Sequence, residues 1–203
     1  MNCRGHNQRI LIVQNWNINP IVHMKLLNNQ HVISDAGGSK ITDSYVLFKC
    51  SRKDNSSIID TICCSPTTAR DLCQLSHQTM PSFFNPLHQN GEGHGIGGNH
   101  PHQSWNQCRK QLYNIVLLLI AYFGSDKTNT PLYDIKIKLE EYTSFPPFFS
   151  YIKSVNTIIG HTKHGTFTNI INYLTENNNN LRNFPYELVL NELNNNNIEQ
   201  HFE

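Results

Sequence analysis

Charge is scarce in this chain and almost balanced. Lys and Arg number 16 against 15 Asp and Glu, and charged residues fill 15% of 203 positions. No bulk field draws such a chain to nucleic acid or anionic lipid, which clustered cations recognise first. The densest basic stretch, Lys49-Cys-Ser-Arg-Lys-Asp54, ends in an acid and reads as a solvated turn. Long apolar runs are also lacking. The run Ile115–Phe123 spans nine residues, where a bilayer crossing takes about 20, so no membrane span is expected.

Catalytic signatures are equally thin. There is no Gly-x-Ser-x-Gly elbow, no His-Glu-x-x-His pair and no finger-type Cys/His spacing. The N-terminal stretch MNCRGHNQRILIV has a four-residue apolar run and no small-residue cleavage site. Its six cysteines are therefore expected as reduced thiols, several packed as small hydrophobes, in a cytoplasmic or nuclear protein. The Asn55-Ser56-Ser57 sequon is then idle.

What the chain does have is asparagine, running as four in a row at 177–180 and again at 194–197. Such tracts read as tolerated surface and loop sequence. Between them, and before them, the apolar pattern predicts an α+β fold. Residues 9–16, 44–50, 57–64 and 132–142 read as strands of a small, mainly antiparallel sheet. In 132–142 the reason is alternation: Tyr133, Ile135, Ile137 and Leu139 against Asp134, Lys136 and Lys138. Residues 44–50 and 57–64 flank a short polar link and predict a hairpin. The stretch SDAGGSK at 34–40 carries turn chemistry.

Ser65-Pro66 is a helix start, predicting a short helix over 66–77. The strongest helix follows Ser104, which with Gln107 matches a capping box. Trp105, Cys108, Leu112, Ile115, Val116, Leu119, Ile120 and Phe123 share one face, while Arg109 falls on the polar side. Leu117 and Leu118 make the second half apolar all round. This long central helix is expected to pack across the sheet, with Gly124 ending it. FPPFF at 145–149 breaks the chain as an aromatic–proline corner, before C-terminal helices near 149–159 and 166–176. Residues 1–176 form the expected domain, with a flexible insertion at 79–103, and 177–203 an Asn-rich tail carrying an amphipathic island at 181–193.

The insertion holds HQNGEGHGIGGNHPH at 88–102. Gly93, Gly95 and Gly98 fit a dinucleotide-loop pattern only formally, because no strand feeds it and no helix opens from it. His94, His100 and His102, with His88 and Cys108 nearby, offer zinc donors, though glycines between them do little to fix a ligand set. A polar connector without cofactor is the leading reading and a zinc site the alternative. Cys63 and Cys64 stand at a strand-to-helix junction, where a helix N-terminus lowers a thiol pKa. With His161 or His164 delivered in space, one of them would serve as a nucleophile.

These candidates define two functional expectations. The first is a non-enzymatic subunit or adaptor in an intracellular assembly, meeting other protein subunits through Leu117 and Leu118 on the helix and Phe184, Leu188 and Val189 on the island. A helix as short as that island needs a surface to fold on. The second is a small metal- or cysteine-dependent hydrolase.

Overall fold

The computed structural model of the chain describes residues 1–88, 105–124, 130–178 and 180–203. The architecture is α+β, as expected. The chain forms two compact units, one of Met1–Asn85 with Phe123–Tyr133, the other of Pro86–Tyr122 with Asp134–Glu203.

Unit 1 opens with helix α1 (His6–Asn15), which runs directly into strand β1 (Trp16–Lys25). The strand expected at 9–16 is therefore a helix, and the first strand begins where it should have ended. Four consecutive apolar residues, Ile10 to Val13, fit either period, so tertiary contacts decide. Ile12 enters the core at 3% exposure while Leu11 stays half exposed. Arg9 and His6 both bind Asp71, and Lys53 Nζ donates to the Val13 carbonyl at 2.8 Å near the helix end.

The four-stranded sheet has the order β5-β4-β1-β6, with β4 (Ser44–Arg52), β5 (Ile59–Cys64) and β6 (Phe83–Phe84). β1–β4 and β4–β5 are antiparallel; β6 joins β1 in parallel. Pro20 lies inside β1 because the register shifts there, between Pro20 and Val22. A bulge tolerates the missing N–H. The predicted hairpin over 44–64 is present, and β4 is buried on both faces along most of its length. A minor pair, β2 (Val32–Ile33) and β3 (Lys40–Ile41), closes around the predicted turn. Gly37 there has φ +100°, and a Cβ on it would also meet Arg4 Cδ at 2.9 Å.

Helix α2 (Pro66–Leu75) starts as predicted, with Thr68 N donating to Ser65 Oγ at 3.4 Å. α1 and α2 pack on each other and on one sheet face. Their shared core joins Ile12, Ile18, Val46, Phe48, Ile62 and Leu72 to Cys3, Cys50, Cys64 and Cys73.

Unit 2 is helical. It contains α3 (Gln107–Phe123) up to Tyr122, α4 (Thr130–Glu141) from Asp134, α5 (Phe149–Gly160), α6 (Phe167–Asn177) and α7 (Glu187–Asn195). α3 starts later than the capping box implies. Ser104 lies outside the described residues, and Asn106 caps the helix instead, its Oδ1 accepting from Arg109 N at 3.1 Å. The expected strand 132–142 is α4. Leu132, Ile135, Lys136 and Leu139 are buried at helical spacing, and Lys136 reaches Glu140 at 2.7 Å. Strict alternation and a narrow helical stripe share enough positions over ten residues to be confused.

The predicted helices near 149–159 and 166–176 are α5 and α6. Residues beyond 177, expected as a tail, belong to unit 2: α7 packs on α5, and Phe202 is fully buried. Of the expected insertion, 79–88 is described. It supplies β6 and the Leu87–Leu181 bridge, while 89–103 lies outside the described residues. No helix among the described residues is long and apolar enough to cross a membrane.

Candidate functional site

Cys63 and Cys64 occupy the end of β5, two residues before α2, as the sequence implies. Both are buried. Cys63 N donates to Asp35 Oδ2 at 2.8 Å, and Asp35 N donates back to the Cys63 carbonyl at 2.7 Å. The Cys64 thiol is hydrogen-bonded to Cys3, and that bond, reinforced by burial, pushes its pKa up rather than down. Burial likewise pushes Cys50 up to about 12 and Cys108 to about 11. Cys50, Cys64 and Cys108 are thereby held as thiols, whereas the same hydrogen bond from Cys64 lowers the pKa of buried Cys3; thiolate is the nucleophilic form. None of the six cysteines forms a disulfide. Labelling native protein with a thiol reagent near neutral pH is expected to modify none of the buried thiols quickly, whereas unfolded protein takes up reagent at all six. Rapid stoichiometric modification of Cys63 or Cys64 in the native state would overturn this assignment.

The two histidines lie elsewhere, in unit 2, at the α5–α6 turn. His161 is exposed and C-caps α5. His164 packs its ring 4.7 Å from Tyr173 and 5.7 Å from Tyr122, with a buried Nε2 that has no hydrogen-bond partner. Cys63 and Cys64 thus belong to unit 1, and His161 and His164 to unit 2. His94, His100 and His102 lie outside the described residues. No cluster of three potential ligands capable of holding a metal occurs among the described ones.

The five residues expected to meet a partner are mostly core. Leu117, Leu118, Phe184 and Val189 are each at most 4% exposed; Leu188 retains 39%. Apolar periodicity reports that a side chain will be buried, but not against which surface. Here the chain buries four of the five itself.

The solvent-facing apolar residues concentrate elsewhere. Tyr142, Phe145 and Phe148 are 63%, 64% and 66% exposed, more than any other large hydrophobic residue described. All three lie in the connection from α4 to α5, around the aromatic–proline corner. That connection is held from beneath by Arg109, in the first turn of α3 and only 2% exposed. Its Nε donates to the Phe145 carbonyl at 2.7 Å and its Nη2 to the Pro146 carbonyl at 3.0 Å. Its Nη1 donates to the carbonyls of Lys138 and Leu139 at 3.1 and 3.0 Å. The last two belong to the final turn of α4, whose carbonyls have no intrahelical partner. One guanidinium thus ends a helix and anchors the loop that follows it.

Further bonds fix the same segment. Asn106 N donates to the Thr143 carbonyl at 2.8 Å, and Phe145 N to the Tyr142 carbonyl at 3.2 Å. Phe148 N-caps α5 and meets Tyr151 edge-on, with ring centroids 5.6 Å apart. Such an arrangement holds the segment in place. It presents aromatic rings to solvent on a backbone that does not need to be ordered first. Comparison with protein-family models, characterised proteins and solved structures finds no match for this chain. The corner was visible in the sequence only as a break; nothing local to it announces that an arginine 36 residues earlier turns the rings outward.

Proposed function

We propose that this chain is a non-enzymatic subunit or adaptor of a multiprotein assembly, acting through protein–protein contacts. The observation that carries the proposal is the exposed trio Tyr142, Phe145 and Phe148 on a segment anchored by a buried arginine. Contact surfaces are enriched in aromatic rings, and a few such anchors supply most of the binding energy when they enter a pocket. Six cysteines without a disulfide suit the cytoplasm or nucleus, where thiols stay reduced. The expected contact residues Leu117, Leu118, Phe184 and Val189 are buried and play no part in this reading.

Affinity isolation from the native cell, comparing the unaltered chain with a Phe145→Ser/Phe148→Ser double variant, tests it. Exposed rings contribute little to the fold, so the variant is expected to keep its melting temperature within a few degrees while losing a stoichiometric partner. A partner set identical for both proteins, or no stoichiometric partner for either, would sink the proposal.

A further inference from the structure

We infer that Phe145-Pro146-Pro147-Phe148 is one outward-facing turn of polyproline II helix, and that the partner takes it in a groove lined with aromatic side chains. The inference rests on the adaptor reading and names the partner class for the same surface.

The backbone argument comes first. A proline ring fixes its own φ near −65°, and the α region is disfavoured for the residue before a proline. Phe145 and Pro146 both precede a proline, so both are biased towards extended backbone. Pro147 has its φ fixed by its ring, and Phe148 has φ −63° and ψ 137°, close to the polyproline II values of about −75° and +145°. The ring constraints at 145–147 and the angles at Phe148 are thus compatible with one polyproline II turn that follows the Tyr142–Phe145 turn.

That conformation repeats every three residues with a rise of about 3.1 Å. Phe145 and Phe148 are three apart, so their rings stand on one edge, roughly 9 Å from each other along the axis. Their near-equal exposure, 64% and 66%, is what a shared outer edge produces. The inner edge is occupied by Arg109, which takes the carbonyls of Phe145 and Pro146. Polyproline II has no internal hydrogen bonds, so a free peptide must be ordered on binding. Here the guanidinium and the start of α5 have already done that ordering, which removes a cost of association.

The surroundings argue against other occupants. Exposed Glu140 and Glu141 flank the rings, and Lys138 is paired with Glu141, so an anionic bilayer meets no excess of cations. A second copy would have to supply the groove. One pocket of about 440 Å³ among the described residues of unit 1 is lined by residues such as Lys25, Asn28, His31 and Lys40, with no phenyl or indole wall. Grooves that accept extended proline-containing segments are instead walled by aromatic rings.

The test titrates the purified full chain against isolated EVH1, WW and SH3 domains, which carry such grooves. Saturable binding to at least one class is expected, weakened about tenfold or more by Phe145→Ser/Phe148→Ser, with circular dichroism and melting temperature unchanged. Absence of saturable binding to every class, or binding indifferent to the double variant, overturns the inference. A photo-crosslinking side chain placed at position 148 in the native cell separates this from the broader reading. A crosslink to an aromatic-walled groove supports both. A crosslink to a helical groove or a sheet edge leaves the adaptor reading intact and overturns the polyproline II inference. No crosslinked partner overturns both.

Discussion

Replacing Arg109 with Leu is expected to cost unit 2 about 3–5 kcal/mol of stability, the range seen when one side of a buried charged network is removed. The leucine fills part of the space but donates nothing. Four carbonyls, those of Lys138, Leu139, Phe145 and Pro146, then lose their donor together. Each orphaned buried acceptor costs about 1–3 kcal/mol, and partial rehydration keeps the sum below the simple total. Against this, the wild type bears the cost of burying a guanidinium with no carboxylate among its hydrogen-bond partners. Burial accordingly lowers the Arg109 pKa, opposed weakly by Tyr151, yet the planar fork satisfies four of its five N–H groups, which limits that cost.

Arg109→Lys is expected to fall between wild type and Leu, because an ammonium keeps the charge but cannot span carbonyls on both sides of the loop. The measurement is denaturant unfolding followed by Trp105, in a Trp16→Phe background so that the signal comes from unit 2. A loss under about 1 kcal/mol, the worth of one ordinary hydrogen bond, would mean that the carbonyls find water readily and that Arg109 does not organise the loop. The same variants are expected to weaken partner binding even where the protein stays folded, since the rings would then have to be ordered on contact.

Arg109 also illustrates what the sequence could and could not convey. The elements with local signals were legible: the hairpin of β4 and β5, the Ser65-Pro66 start of α2, the body of α3, the turn around Gly37, and helices α5 and α6. Their cues act within a few residues. Those that failed depended on distant partners. Residues 6–15 are helical because Asp71 and Lys53 meet them from later in the chain, and α4 mimics a strand because ten residues support both periods. Arg109 fell outside the apolar face, because helical position says which way a side chain leaves the axis, not what waits there. The same gap applies to the residues expected to meet a partner: Leu117 and Val189 were read as needing cover, and the chain supplies it.

Ending the chain at Asn177 is expected to abolish the folded state of unit 2 outright. The deleted stretch contributes Phe184, Val189, Leu193 and Phe202, none more than 4% exposed. At about 1.5–3 kcal/mol for each fully buried apolar side chain, their joint loss rivals the entire stability of an ordinary domain, about 5–15 kcal/mol. Polar contacts go with them. His201 and Phe202 carbonyls accept from Phe167 N and Thr168 N at 2.8 and 3.0 Å, at the start of α6. Asn156, buried in α5, donates to the Glu199 carbonyl at 2.9 Å and accepts from His201 N at 2.8 Å. Gly160 completes the fit, because a Cβ there would lie 2.6 Å from the His201 ring.

A narrower change gauges the same closure without removing the segment. Phe202→Ala leaves the Phe167 and Tyr186 rings, 5.6 and 5.4 Å away, facing a cavity, and is expected to cost about 3–5 kcal/mol. The readouts are limited proteolysis and thermal unfolding. Rapid cleavage within α5 and α6 of the truncated chain, with a large drop in the melting temperature of Phe202→Ala, is the expected pair of results. A truncated chain that resists protease and melts where the full one does would show that residues 178–203 are the solvated tail their asparagines suggest, and that the aromatic cluster around Phe202 contributes nothing to holding α5 and α6 together.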